Sequence, residues 1–572
     1  MHIKFARKNI LYLLLLERRI QMIEQSLLFY NGSILTMGEK EHVEAVAVRG
    51  NKIVCTGTLQ DCRVSLQGSD FQEIDLNGRC LLPGFIDPHL HLMMLGMCHT
   101  WIDVSYPKVK SIDDLVKELS IHKDNLRDGA FIRGYGFDQR TLKEKRYPTA
   151  DDLDRISTEY PVQIMHASGH SNVVNHYLLD QLGIDENTKD PEGGAIGRNE
   201  NGKPNGQLFD SANDFFAKKS GVLIGNHGPN IHMPDTPENL QTLITVGQEQ
   251  CVSAGLTTIN DPQVTKQEME SFHVAKKDGN LKMRVVMSFI STYLDELIHL
   301  GFHSGFGDEQ LSIGSIKFYA DGSLNSGTAY LSTNYADSAR KKGYLYHKVE
   351  EFKKMFVKAH QQGFQTLTHA QGDSAIQLVI DSVKVAQASS CTDVKELRHR
   401  IEHCGLPDPT QIDDIKELGI WPVPQPQHVY QFGEGVISQV GDFGKNYSPY
   451  GWFKEKNIPI VLSSDAPVAP PNPVLAIYAA VTRSTLQGNI IGEEHKITLT
   501  EALRGYTIEA AKSIHKEDLI GSIEEGKLAD FAILTHNPYE VPTEQIKNID
   551  VCETWIAGEK VFESKKEASL IK

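Results

Sequence analysis

Apolar and polar positions alternate along this 572-residue chain in distinct textures. From Ser26 to Gly57, "SLLFYNGSILTM" and "EHVEAVAVRGNKIVCTG" are short β-branched runs separated by Gly and Asn, the pattern of hairpins. The same texture returns from Gly526 to Glu563 in "GKLADFAILTHNP" and "VCETWIAGEKVFE", so the two ends of the chain are expected to build one small β-sandwich domain. Between them strand-like and helix-like segments alternate. The runs "LLPGFIDPHLH", "LTTIND", "MRVVMSFI", "IGSIKFYAD", "FQTLTHA", "RHRIEHC", "IWPVPQ" and "IPIVLSSD" read as strands. Helical spacing fills the gaps, as in Glu350–Gln362, where Phe352, Met355, Phe356 and Ala359 share a face and Gly363 ends the pattern, and in Ala375–Ala388. Such a succession predicts an α/β fold built on a (β/α)8 TIM-like barrel.

One interval breaks the rhythm. About 160 residues, Leu92 to Gly255, separate the first two strands, far more than one crossover needs. Within it "RGYGFDQRTL", "PVQIMHASGHSNVVN" and "GGAIGRNENGKPNGQLFDSA" are rich in loops and strands, so an inserted subdomain is expected after the first barrel strand. The predicted division is an N-terminal extension at 1–25, a β-sandwich domain from 26–82 and 521–566, and a barrel over 83–520 carrying the insertion at about 100–240. The apolar run Ile10–Leu16 is too short to span a bilayer, and Glu17, Arg18 and Arg19 follow it with no small-residue cleavage site. The extension is therefore expected to be a short appended helix, or to reflect an upstream start with Met22 as an alternative beginning.

A formal charge of −16 argues against a nucleic-acid partner, which requires a basic face. The eight cysteines are scattered with no CxxC, which predicts reduced thiols in a cytoplasmic protein. The expected partners are a small-molecule substrate and, as a homodimer, a second copy of the chain, with no membrane association.

The chemistry concentrates at predicted strand ends. His89 and His91, two apart at the close of "FIDPHLH", fall on one face, where two imidazoles can grip one metal ion. His369, His403 and Asp465 stand near the C-terminal ends of later strands, the edge where barrel active sites form. Each alone has an ordinary reading, a turn cap or a satisfied core histidine. Together with His89 and His91 they form a ring of metal-ligand types. His399 and His403 share a parity on a regular strand, and His403, nearer the end, is the expected ligand. Lys317 lies in the buried-looking run "GSIKFYADGS". An ammonium would repel nearby cations, whereas burial favours a neutral amine able to add CO2 and bridge two metals as a carbamate. The alternative is an ammonium paired with Asp321.

In order along the chain, "GFIDPHLH", "IKFYADGSLNSGTA", "THAQGD", "RIEHC", "SSDAPV" and "GSIEEGKLADFAIL" resemble the amidohydrolase superfamily. More narrowly they are similar to its amidohydrolase-3 group, which includes the YtcJ-like amidohydrolases and N-substituted formamide deformylase. The resemblance implies a binuclear centre, usually zinc. In it His89 and His91 match the first-strand pair, Lys317 the carboxylated bridging lysine, His369 and His403 the second-metal ligands, and Asp465 the last-strand acid. It also implies that the insertion covers the site, which makes Asp138 in "GFDQ" and His170 in "SGHSNVVN" substrate-binding candidates beside Asp321. Gln371 in "THAQGD" departs from the Ile or Val frequent in the family.

The implied function is hydrolysis of a non-peptide C–N bond, in a small amide such as an N-substituted formamide, by metal-activated water, with Asp465 as base and then acid. An esterase, lactonase or cyclic amidase on the same site is the alternative, followed by a non-catalytic scaffold. The filled ligand positions argue against the scaffold.

Overall fold

The computed structural model describes residues 25–121, 131–217, 222–232, 235–336 and 341–565. The predicted N-terminal extension lies, apart from Gln25, outside the described residues. No described helix is long and apolar enough to cross a membrane. All eight cysteines are free.

The hairpin-like runs at both ends of the chain pair as expected. Ser26–Leu35, His42–Arg49 and Lys52–Gly57 form an antiparallel meander, and Phe531–Leu534, Val551–Ile556 and Glu559–Glu563 form another. Cys80–Pro83 joins the two, parallel to the first and antiparallel to the second. With Gln72–Asp75 added parallel to Ser26–Leu35, the result is one mixed eight-stranded sheet in which Phe531 and Trp555 both pack edge-to-face on Phe29.

The run predicted as the first barrel strand is divided between two sheets. Cys80–Pro83 belongs to the terminal sheet, and Phe85–Asp87 opens the barrel sheet. Gly84 is the joint. A Cβ there would lie 2.2 Å from the Thr257 side chain, so only glycine lets the chain pass between the layers.

From Phe85–Asp87 the α/β barrel continues through Leu256–Val264, Arg284–Ile290, Leu311–Tyr319, Gln365–Ala370, Arg400–His403 and Trp421–Val423, all parallel and in sequence order. Nearly every residue of these strands is buried, as strands covered on both faces require. Phe318 packs on Phe352 and Phe356 of the helix Val349–Gln361. The helix Asp373–Ser389 buries Ile376, Val379, Ile380 and Val383.

The predicted eighth strand, 458–465, makes no ladder of its own. Its backbone donors go elsewhere: Leu462 N–H to the Gly505 carbonyl and Ser464 N–H to the Asp87 carboxylate. It meets the first strand's end through a parallel bridge, Leu90 to Ala466. There His91 N–H donates to Ala466 O and Asp465 N–H to His89 O, both at 2.9 Å.

The insertion carries its own six-stranded sheet, in the order Gly194–Arg198, Pro204–Asp210, Ser171–Val174, Val162–His166, Ile132–Phe137 and Ile102–Asp103. It leans on the barrel mouth. A Cβ on Gly228 (φ +143°) would fall 2.4 Å from the Tyr319 ring, so the backbone lies directly on that barrel side chain.

Candidate metal centre

His89 and His91 lie just past the first strand. Asp87 holds both sides of the junction, accepting from His89 N–H at 3.1 Å and Ser464 N–H at 3.2 Å. Although both lie beyond the strand on which alternation would align them, the two imidazoles converge, with His89 Nε2 3.4 Å and His91 Nε2 3.3 Å from Asp465 Oδ1. The other oxygen, Asp465 Oδ2, is 3.7 Å from His428 Nε2. Asp465 thus belongs to two compact ligand groups, one with His89 and His91, the other with His403 and His428.

The histidines are oriented from behind. His89 Nδ1 bonds the Glu402 carboxylate, which Arg400 grips through Nε and Nη2 at 2.7 Å each. Burial alone would raise the Glu402 carboxyl, but Arg400 and His89 bring it down to about 2. An ionised, arginine-bound carboxylate only accepts, so His89 donates from Nδ1 and turns Nε2 to the site. His403 donates Nδ1–H to Gln425 Oε1 at 2.7 Å, because the amide nitrogen of Gln425 is committed to Val423 O and Ser463 Oγ. His369 donates from Nε2 to the Gly322 carbonyl at 3.0 Å, leaving the lone pair on Nδ1. Burial keeps His91 at about 4 and holds His369 and His403 well below the ordinary histidine range, so these rings offer lone pairs. Burial would also raise Asp465, yet His89 and His91 hold it well below the usual carboxylate range.

Lys317 is fully buried on the fourth strand, and its Nζ has no hydrogen-bond partner. It stands 4.6 Å from the Tyr319 ring centroid, and that ring stacks on His369 at 5.0 Å. Burial pushes Lys317 down to about 8. The pairing with Asp321 is absent. Asp321 instead accepts the backbone N–H groups of Tyr330, Gln371 and Gly372 at 2.8–3.0 Å.

The structure brings His89, His91, Lys317, His369, His403 and Asp465 to one cleft, which His170 also lines. Asp321 and Asp138 are not on its wall. Asp321 is buried with both oxygens engaged by backbone, and Asp138 is clamped by Arg140 through Nε at 3.0 Å and Nη2 at 2.6 Å. His399 is also excluded from the cleft. Its Nε2 meets His360 Nδ1 at 2.9 Å and its Nδ1 meets Thr366 Oγ1, on the helix side of the strand. The shared parity with His403 fails because His403 adopts φ +68°, a left-handed backbone that turns consecutive side chains, Glu402 and His403, toward the site. Asp465 at φ +58° departs from the extended strand in the same way.

A profile of the amidohydrolase family, Amidohydro_3, matches residues 72–562. The chain belongs to this family. It is similar to the YtcJ protein of Bacillus subtilis, at 28% identity over 94% of this chain and 99% of that one. It is similar to N-substituted formamide deformylase of Arthrobacter pascens, at 25% identity over 93% and 98%. Among solved structures, an uncharacterised metal-dependent hydrolase of Pyrococcus horikoshii superposes with a TM-score of 0.74 at 25% identity, covering 91% of this chain and 99% of that one. This amidohydrolase is therefore a metal-dependent hydrolase acting on carbon–nitrogen bonds, and its donor set suits a divalent cation: imidazole nitrogens, a shared carboxylate and a buried amine.

Three site residues of the amidohydrolase escaped the sequence reading. His428 sits in the first turn of the helix Pro426–Val440, just beyond the seventh strand, and its place after a barrel strand's C-terminal end is the signal that could have found it. Arg400 and Glu402 were visible only as charges inside a core strand, and such charges call for buried partners.

Proposed function

We propose that this amidohydrolase hydrolyses a small non-peptide amide, an N-substituted formamide being the leading candidate, at a centre of two zinc ions. The observation that carries the reading is Asp465, which turns Oδ1 toward His89 and His91 and Oδ2 toward His428, and which groups with His403 as well. In this reading His89, His91 and Asp465 would hold one ion and His369 and His403 the other, with Lys317 contributing to both as a carbamate. The buried, unbonded Nζ supports that last assignment. Bound there, divalent cations supply a water whose pKa falls from about 15.7 towards 7 and a polarised substrate carbonyl. The protein's own task is proton transfer. Asp465 takes a proton from the attacking water on its carboxylate and returns it to the leaving nitrogen. Arg400 and Glu402 keep His89 in register, Gln425 does the same for His403, and Asp321 fixes the backbone after His369.

The proposed layout keeps a terminal β domain of 26–82 and 521–566 and a barrel of 83–520 with its insertion at 100–240. The sheet memberships support it. Free thiols throughout support a cytoplasmic location. The formamide assignment is supported by the relative of that activity, similar over nearly its whole length. A panel of N-formyl and N-acyl compounds, assayed with zinc-reconstituted protein and again after chelation, tests the reading. Chelator-sensitive amide turnover is expected, and metal-independent turnover or none would contradict it.

A further inference from the structure

The inserted sheet delivers a second imidazole–carboxylate pair to the cleft, and neither the metal ligands nor Asp465 account for it. His170, in the turn between Val162–His166 and Ser171–Val174, places Nδ1 2.8 Å from Asp210 Oδ1. Asp210 ends the strand Pro204–Asp210 at φ +51°, a left-handed conformation uncommon for a residue with a side chain. Its backbone N–H donates to the His170 carbonyl at 2.8 Å. The carboxylate is also held from the barrel side, where Tyr346 OH donates to Oδ1 at 2.8 Å and Tyr344 OH donates to Oδ2. Three side chains thus converge on one carboxylate whose visible consequence is the orientation of His170.

Chemistry fixes the direction of the bond. A carboxylate already receiving two phenol hydroxyls only accepts, so the proton between the pair resides on His170 Nδ1. With the Nδ1 proton committed to Asp210, Nε2 is the acceptor that the neutral form of the ring presents. His170 lines the cleft with its ring 5.9 Å from that of His369, within one small substrate's reach of the metal ligands. A second acceptor lines the same cleft. Asn325 Oδ1 is buried and has no hydrogen-bond partner. Acceptors aimed at a binding space discriminate in favour of a ligand that brings donors, because one without them leaves buried groups unpaired.

We infer that His170, locked by Asp210, Tyr344 and Tyr346, is a specificity residue that accepts a hydrogen bond from the substrate, which selects amides bearing N–H over fully substituted amides. The inference rests on the amide reading above and deepens it. Asp210, Tyr344 and Tyr346 are positioning residues, acting only through His170.

The test has two arms. In 15N-histidine-labelled protein at pH 8, the His170 signal, assigned by its loss in His170→Phe, should show the Nδ1–H tautomer, and a Tyr344→Phe, Tyr346→Phe double variant should shift it toward a mixture. A His170 carrying its proton on Nε2, or on both nitrogens, would overturn the inference whatever the activity. In the second arm, zinc-loaded protein is assayed with N-benzylformamide and N-benzyl-N-methylformamide. The kcat/KM ratio should favour the N–H compound, and His170→Phe, with metal content retained by elemental analysis, should lower that ratio about tenfold, the scale of one hydrogen bond. An unchanged ratio overturns the inference. Absence of turnover of both compounds by the wild type counts instead against the amide reading, and the tautomer measurement then decides the role of His170 alone.

Discussion

The imidazole of His89 is bonded through Nδ1 to the carboxylate of Glu402, 313 positions further along the chain. The barrel brings the first and sixth strands' ends together, and Arg400 completes a buried relay of guanidinium, carboxylate and imidazole. Glu402→Gln breaks the relay without removing a ligand. Metal affinity, read by competition with a chelator, should fall about 10- to 100-fold. Because Arg400 and Glu402 are both fully buried, the stranded guanidinium should also cost about 3–5 kcal/mol in urea unfolding. Wild-type affinity and stability in this variant would mean that the relay orients nothing.

The same carboxylate predicts an acid limit. Its folded pKa, about 2, is depressed below the ordinary 4.5. Its contribution is therefore present above pH 4.5 and is lost as pH falls toward 2. Between those values the metal-free wild type should lose stability with falling pH more steeply than Glu402→Gln. Parallel curves in a series of urea titrations would contradict the assignment.

Lys317 has the opposite electrostatic situation. Burial lowers it from 10.5 to about 8, so the unfolded chain binds the extra proton between those values and stability rises with pH across that window. The neutral amine is also the form that adds CO2. Zinc reconstitution at pH 8 with bicarbonate should give a full metal complement and native mass spectra heavier by one CO2, and CO2-free buffer should give neither. Lys317→Met should load less metal under all conditions. Equal loading with and without bicarbonate would remove the bridging role.

Asp465→Asn preserves volume and one oxygen but not the base. It should retain the fold and most of the metal while kcat falls by about 10²- to 10⁴-fold, the usual worth of a positioned proton-transfer group. Near-normal kcat in steady-state assays would exclude the proton-shuttle role.

Much of the fold was legible because its signals are periodic. Buried parallel strands appear as continuous apolar runs such as "MRVVMSFI", and strand-end residues such as His89, His369 and Asp465 stand out against them. What escaped the reading depends on local geometry or distant neighbours. The left-handed backbone at His403 turns its side chain to the site beside Glu402 although His399, of the same parity, faces a helix, and a parity argument on a regular strand cannot anticipate that. The split at Gly84 follows from the approach of Thr257, 173 residues away. Asp321 looked like a partner for Lys317 because the two are close in sequence, but three backbone donors from later segments claim it. His428 belongs to the site only because the seventh strand's following helix starts beside Asp465.

The most direct test is anomalous scattering at the zinc edge from crystals grown with zinc and bicarbonate. Two peaks about 3.5–4 Å apart are predicted. One should lie about 2.0–2.2 Å from His89, His91 and Asp465, and the other at that distance from His369 and His403, with density for a carbamate on Lys317 between them. Zinc found only elsewhere, for example at the surface group Asp151, Asp154 and His176, with these six side chains in ordered density around a metal-free cleft, would contradict the account.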